Sequence, residues 1–401
     1  MKILFLLTQD LESPYGIGRF YPLAKELIKT GQQVQVISLH SNFCNLIETK
    51  FIKDGIAVHY IAQMHVLKRG NLKEYFNTPK LLFISLWATI RFTWEILRSD
   101  ADVIHLGKPH PMNSFAGLFA KMFRNRILFV DCDDLEISNN QFHGEWQKRI
   151  VGFFEKWVPF WSNHITTNTT FLKNKMIMDG IKPQKITYIP NGVDYDRFSP
   201  PKMSVLIEKK KELGISDKNV IAYIGSLGNA NHPIDILLKA FIRVQNKNPS
   251  TILMIVGGGE SYTHFRKMAE ILGINSHVIF VGRVLPEEVN IFYYLADVTV
   301  DPVNDDEVGK SRCPIKIFES WACGKPVITG DVGDRALLMG IPPAGLLIKP
   351  GDIDAMSTAI LKLLDQPKLY HEISKQSIIR AKSYSWEIHA KKILSLYNSY
   401  L

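Results

Sequence analysis

Two unbroken apolar runs, Lys2–Leu7 and Val220–Ile224, constrain this chain more than any other feature. Continuous apolar runs of this length, without alternation, fit strands of a parallel sheet covered on both faces. After the first run come a loop holding Gly16-Ile-Gly18 and a helix over Tyr21–Lys29. Pro22 falls in that helix's first turn, Gly31 ends it, and a strand follows at Val34–Ser38. After the second run the same order restarts: Gly225, a helix over Pro233–Gln245, and a strand at Thr251–Val256 before Gly257-Gly-Gly259. Each half therefore predicts β–loop–α–β units, the start of a doubly wound α/β domain. A length of 401 residues suits two such domains. Asn191-Gly192 marks a turn, and Tyr195–Lys202, with Pro200-Pro201, reads as the linker. The domains predicted are 1–195 and 203–384, and Trp386–Tyr400 forms a last amphipathic helix.

Polar clusters at the carboxyl ends of parallel strands usually face the ligand crevice. In the first half, the strand at Asp102–His105 runs into Lys108-Pro-His110, and that at Arg126–Val130 ends in Asp131-Cys-Asp133-Asp134. His105 and His110 both suit satisfied structural positions, and of the two only His110 sits where a loop would expose it. Later strands fall at Val278–Val281, leading into Gly282-Arg-Val284, and at Val327–Thr329 and Gly345–Ile348.

The segment Ser311–Val327 carries the densest functional signal. Pro314 suits the start of a helix, Ile315, Phe318, Trp321 and Ala322 recur at helical spacing, and Gly324 fits its end. Lys316 lies in the first turn, where the macrodipole disfavours a cation unless an anion docks there. Glu319 shares its face one turn on, where a carboxylate can accept hydrogen bonds from both hydroxyls of a ribose. Phosphate first and ribose one turn later is the layout of a sugar nucleotide. An amphipathic helix with a solvated Lys–Glu pair explains the spacing equally well.

The formal charge is +9, with 23 Lys and Arg against 17 Asp and Glu in residues 1–195. A basic excess suits phosphorylated ligands or an anionic membrane surface. No nucleic-acid-binding signature is present, so no nucleic acid is expected. Four cysteines without C-x-x-C spacing argue against a disulfide framework or a zinc site and point to a reducing compartment. Met1–Leu7 reads as a first strand rather than a leader, and Leu81–Leu97, broken by Arg91 and Glu95, as a helix too polar to span.

Glu319-Ser-Trp-Ala-Cys-Gly-Lys-Pro-Val327 resembles the donor-site motif of the GT4 family of retaining glycosyltransferases, which have the GT-B fold. Pro314-Ile-Lys316 resembles a variant with Pro-x-Lys before the second motif glutamate. Ser311 stands where the motif's first glutamate falls, and Asp305, Asp306 and Glu307 are nearby substitutes. Ser226 and His232 stand where the loop after the second domain's first strand carries an arginine and a lysine for the diphosphate. The resemblance implies two Rossmann-like domains facing across a cleft, with residues 385–401 returning to the first. It implies a hexosyltransferase-type enzyme moving a sugar from a nucleotide-sugar to a glycan or lipid-linked acceptor, in surface polysaccharide or glycoconjugate synthesis. Lys316, Asp133 and His110 would be catalytic. Gly16, Gly18, Gly225, Ser226, Arg283, Val284, Ser311, Arg312, Ile315, Lys316 and Glu319 would hold the donor, with Arg19 assisting beside the Gly16–Gly18 loop and Lys310 as a further cation. The donor is of UDP or GDP type, and no cofactor or metal is expected. The location expected is cytoplasmic, with peripheral contact at the inner face of the membrane. A nucleotide-sugar epimerase on a similar scaffold and a non-catalytic partner subunit with a decayed donor site are the alternatives.

Overall fold

The computed structural model describes residues 1–401 except 140, 141, 143 and 229–232. Its strands are β1 (Lys2–Leu7), β2 (Gln33–His40), β3 (Lys50–Lys53), β4 (Ile56–Gln63), β5 (Val66–Arg69), β6 (Leu72–Tyr75), β7 (Val103–Gly107), β8 (Ile127–Cys132), β9 (His164–Thr167) and β10 (Ile186–Tyr188) in the first half. The second half holds β11 (Asn219–Ile224), β12 (Thr251–Val256), β13 (Val278–Gly282), β14 (Val298–Asp301), β15 (Val327–Gly330) and β16 (Gly345–Ile348).

The first sheet runs β10-β9-β8-β7-β1-β2-β4-β3 and the second β13-β12-β11-β14-β15-β16. All pairs are parallel apart from β3 with β4 at the edge of the first sheet. Both sheets reverse winding beside their first strand, between β1 and β7 and between β11 and β14. Ligands of open α/β sheets bind outside the carboxyl ends at such points.

The pleat explains the core. In β1, Leu4 and Leu6 pack under the helices Thr78–Arg98 and Pro111–Arg124, while Ile3, Phe5 and Leu7 face Phe20, Leu23 and Leu27. In β11, Ile221 and Tyr223 take one face, and Val220, Ala222 and Ile224 the other. The C-terminal helix Trp386–Asn398 buries Trp386, Ala390, Ile393 and Tyr397 in the first domain's core. Val193 and Ser385 form a parallel bridge where the chain leaves that domain and returns.

Two local features differ from the sequence reading. Residues Gly16–Phe20 form a π-turn continuous with the helix Tyr21–Lys29, not an open loop. A Cβ at Gly16 would lie 2.2 Å from the Asp10 carbonyl oxygen, so only glycine lets the chain turn there. The second is the antiparallel hairpin β5–β6 ahead of the helix Thr78–Arg98, for which the sequence reading assigned no strands.

Candidate active site in the cleft between the domains

Lys316 enters the cleft from the first turn of the helix Ile315–Ala322, with Pro314 at its N-cap. Its Nζ lies 3.3 Å from Asp301 Oδ1 at the end of β14 and 3.3 Å from the Tyr223 hydroxyl of β11. It also sits 4.3 Å over the Tyr223 ring. Burial works against the ammonium, but Tyr223 and Asp301 outweigh it and raise its pKa above the usual lysine value. Asp301 is fixed in turn by Arg335 Nη2 at 3.1 Å and the Thr329 hydroxyl at 3.0 Å. A Cβ on Gly225 would stand 3.1 Å from Lys316 Nζ, so the bare backbone beyond β11 and the ammonium are neighbours. One cation, one helix N-terminus and one glycine turn thus meet at the second sheet's winding reversal.

The other expected donor contacts are distributed more widely. Glu319 follows Lys316 by one turn and accepts from Arg197 Nη1 at 3.1 Å and the Tyr293 hydroxyl at 2.7 Å. Each carboxylate oxygen still has a lone pair for a ligand. Ile315 spans the cleft to the first domain, where a Cβ on Gly18 would lie 2.6 Å from its Cδ1. Gly18 is therefore a close-approach glycine between domains. The buried Ser311 hydroxyl donates to the Val308 carbonyl at 2.9 Å, within its own helix Glu307–Ser311. Arg312 also crosses the cleft, donating to Asn139 Oδ1 at 3.2 Å. The Ser226 carbonyl accepts from Tyr223 at 2.7 Å, and Val284 packs with the second domain's outer core. Asp306 caps the helix Glu307–Ser311 through Gly309 N at 2.6 Å, and Asp305 pairs with Lys310 at 3.0 Å on the surface. His232 lies outside the described residues.

The first domain contributes an acid cluster around Lys108. This lysine adopts φ +67°, a left-handed backbone that a side-chain-bearing residue rarely takes and that favours functional sites. Its Nζ reaches Asp134 Oδ2 at 2.7 Å, Glu136 Oε1 at 2.8 Å and Asp133 Oδ1 at 3.3 Å. His110 Nε2 lies 3.1 Å from Glu136 Oε2. Burial opposes ionisation of Glu136, but Lys108 and His110 hold its carboxyl well below the usual range. Asp133 goes the other way: burial lifts its carboxyl well above that range, Lys108 opposes, and Asp134, Asp131 and Glu136 add to the rise. Its Oδ1 is buried and has no hydrogen-bond partner, despite the nearby ammonium. Asp133, Asp134 and Glu136 could by spacing hold a cation, and the Lys108 ammonium already takes that place.

Arg19 corrects the expectation that it assists with phosphate. It is buried, pairs with Asp131 and donates to the Ile189 carbonyl and Asn191 Oδ1, holding the first domain together. His105 is likewise internal, between the Tyr397 and Thr166 hydroxyls at 2.6 and 3.2 Å. The Asp131-x-Asp133 pair is thus divided between an internal arginine and the cleft. Sequence reasoning missed Tyr223, Asp301, Arg335 and Lys108 as members of the site. Asp301 and Lys108 each close or follow an apolar strand, and that position was the available signal.

Two doubly wound domains with their strand ends facing one cleft, and a C-terminal helix returned to the first, define the GT-B architecture. Two family models cover most of the chain: Glycosyltransferase Family 4 over residues 19–197 and Glycosyl transferases group 1 over residues 206–380. The chain belongs to the GT4-type glycosyltransferases. Among curated relatives, it is 28% identical over 223 residues to a D-inositol 3-phosphate glycosyltransferase of Corynebacterium glutamicum, covering 54% of this chain and 52% of the relative. It is 30% identical over 185 residues to a GDP-mannose-dependent alpha-(1-6)-phosphatidylinositol monomannoside mannosyltransferase of Mycolicibacterium smegmatis, covering 46% and 48%. The chain spans about half the length of these curated relatives. Anabaena HepE, solved with UDP and glucose, superposes with a TM-score of 0.76 over 100% of both chains at 17% identity, a likeness of fold.

Proposed function

We propose that this protein is a retaining glycosyltransferase that takes a sugar from a UDP- or GDP-type nucleotide-sugar and passes it to a glycan or lipid-linked acceptor. The carrying observation is Lys316, held at a helix N-terminus beside Gly225. Its ammonium and the free N–H groups of that turn suit a diphosphate in the ground state and, more strongly, the charge that develops as the sugar leaves. The sugar–phosphate bond breaks, the acceptor oxygen bonds to the anomeric carbon, and the departing phosphate takes the acceptor proton. No protein nucleophile is required in that scheme. Burial raises the Asp133 carboxyl well above its ordinary value, which favours the protonated form and a hydrogen bond donated to a sugar hydroxyl across the cleft.

Membrane contact belongs to the same reading. Trp87 and Trp94 are exposed on the helix Thr78–Arg98, and Phe153, Trp157 and Trp161 on the helix Glu145–Trp161. The helix Pro111–Arg124 joins them and exposes Phe115, Met122 and Phe123. Lys80, Arg98, Arg124 and Lys156 lie on the same helices. An aromatic face with basic neighbours suits the anionic inner leaflet. No helix among the described residues is long and apolar enough to cross a membrane, so the contact proposed is peripheral. The relatives' named acceptors, an inositol phosphate and a phosphatidylinositol mannoside, support a small or lipid-linked polyol.

The test is a thermal-shift screen of UDP- and GDP-sugars, since a ligand of the folded state raises apparent stability. Incubation of the stabilising donor with lipid and glycan extracts follows. Sugar incorporation that fails in Lys316→Ala supports the reading. Conversion of the donor sugar without any acceptor favours the epimerase, and failure to bind any nucleotide favours the non-catalytic subunit.

A further inference from the structure

The β5–β6 hairpin belongs to the first domain by its base and to the second by its tip. At the base, Gln63 Nε2 donates to the Val66 carbonyl at 3.1 Å. One pair short of the tip, Lys68 Nζ pairs with Asp10 at 3.0 Å, and the Lys68 backbone exchanges hydrogen bonds with the Asn42 side chain at 3.0 and 3.2 Å. Arg69 and Leu72 are the last paired residues, so Gly70-Asn71 is the turn. That turn crosses the cleft. The Asn71 carbonyl accepts from Gly259 N at 2.8 Å, and Asn71 Oδ1 accepts from Arg283 N at 2.8 Å. The Arg283 guanidinium donates to the Gly70 carbonyl at 2.5 Å and the Leu72 carbonyl at 3.1 Å.

The receiving surface is ligand-like. Gly257–Gly259 follow β12, and Gly282-Arg283 close β13, two strands whose carboxyl ends border the second domain's crevice. A Cβ at Gly258 would lie 2.7 Å from the Asn71 carbonyl oxygen, and one at Gly282 2.8 Å from Asn71 Nδ2. Bare backbone is what admits the tip. Backbone N–H groups on such a glycine floor suit the carbonyl edge of a planar heterocycle, and Asn71 meets them with two amide-type oxygens of the same chemistry. The latch is weakly built, because among the described residues β5 and β6 pair with each other and with no third strand.

We propose that the hairpin tip stands in for the nucleobase in the ligand-free protein, and that a nucleoside diphosphate displaces it. The inference rests on the second domain being the donor site. Asn71 then competes with the base for the Gly259 and Arg283 N–H groups. The apparent affinity for nucleotide is lowered by the fraction of molecules with the tip docked. Donor arrival frees the first domain's hairpin and so couples occupancy of one domain to the position of the other.

UDP and GDP binding, measured by calorimetry on the wild type and on Asn71→Ala, decides the matter. Losing one of the tip's acceptors is expected to tighten nucleotide binding about fivefold, the factor for one net hydrogen bond. In the wild type, saturating UDP or GDP is expected to speed tryptic cleavage after Arg69 and Lys73 as the tip leaves. Equal or weaker nucleotide binding by Asn71→Ala, or protection of the hairpin by nucleotide, overturns the latch and leaves the donor site standing. If neither nucleotide binds either protein, the donor-site reading fails and the latch with it.

Discussion

Arg19 and Asp131 form a buried bidentate pair, Nε to Oδ2 and Nη2 to Oδ1 both at 2.7 Å, below the floor of the first domain's cleft. The Tyr15 hydroxyl donates to the same carboxylate at 3.1 Å and the Thr166 hydroxyl at 2.5 Å. Arg19 extends the network to the residues that precede the linker, Ile189 and Asn191. The π-turn after β1, the end of β8 and the exit from the first domain are therefore held by one guanidinium. Burial disfavours the Asp131 carboxylate, but Arg19 more than compensates and keeps its pKa below the ordinary value.

Removing one partner strands the other charge in the interior. Arg19→Met is expected to cost about 3–5 kcal/mol of folding stability, the usual penalty for breaking a buried pair. Urea unfolding of the wild type and the variant checks this, and a loss below about 1 kcal/mol contradicts a structural role. The Asp131 contribution is present above its unfolded pKa of about 3.9 and is lost as pH falls below it.

Three buried histidines set acid sensitivity at higher pH. Burial pulls His105, His164 and His389 down to about 4 each. Their unfolded value is about 6.5, so between about pH 6.5 and 4 the unfolded chain binds more protons than the native one. Stability is complete above that window and falls as pH drops through it, by about 1.4 kcal/mol per pH unit for each histidine. Urea midpoints at pH 7, 6 and 5 are expected to decline steadily. A flat profile shows that these imidazoles are not held neutral by the fold.

The fold was legible because both halves announce parallel strands by apolar runs without alternation, each followed by a glycine turn and an amphipathic helix. The return of Trp386–Asn398 to the first domain came from the family resemblance, since an amphipathic helix does not name its partner. The site was legible where a residue violates local physics, as Lys316 does at a helix N-terminus. It was not legible where two distant segments meet. Arg19 sits beside two glycines in sequence, and only the tertiary arrangement shows Asp131 claiming it. Asn71 lies in a polar stretch with no feature of its own, and its importance arises from β12 and β13, far along the chain.

Membrane contact has an electrostatic signature. Vesicles rich in anionic lipid are expected to retain the protein at low salt and release it at high salt, since exposed charges are screened within a Debye length of about 8 Å at physiological ionic strength. Replacing Trp87 and Trp94 with serine is expected to reduce retention without unfolding the protein, because both side chains are about half exposed. Equal partitioning onto neutral and anionic vesicles refutes the electrostatic part, and full retention by the double variant refutes the aromatic part.

Asp133 offers a test of protonation state. If burial keeps it neutral, Asp133→Asn preserves shape and a donor and is expected to retain sugar transfer near the wild-type rate. Asp133→Ala removes the hydrogen bond and is expected to lose about 1–3 kcal/mol of transition-state stabilisation. Comparing kcat/KM for the three proteins settles the role. Equal damage by both substitutions shows that the carboxylate form is needed, and no damage by either removes Asp133 from the site.

Lys316 is the residue on which the donor reading depends most. Its ammonium meets the diphosphate both before and after the sugar leaves, so Lys316→Ala is expected to weaken donor binding and slow single-turnover transfer together. Charge-assisted hydrogen bonds are worth about 1.5–3 kcal/mol, roughly a tenfold to hundredfold loss in affinity. Asp301 keeps Arg335 as a partner in this variant, so the fold has no newly unpaired buried carboxylate. Tyr223→Phe is the companion. It removes the hydroxyl 3.3 Å from Nζ and leaves the ring beneath the ammonium. Its effect is expected to be much smaller, because the charge stays in place and loses one neutral acceptor. Donor dissociation constants and single-turnover rates, taken after thermal melts confirm folding, separate the two. Should Lys316→Ala bind and turn over donor like the wild type, the lysine is an internal partner of Asp301, and the diphosphate is held elsewhere.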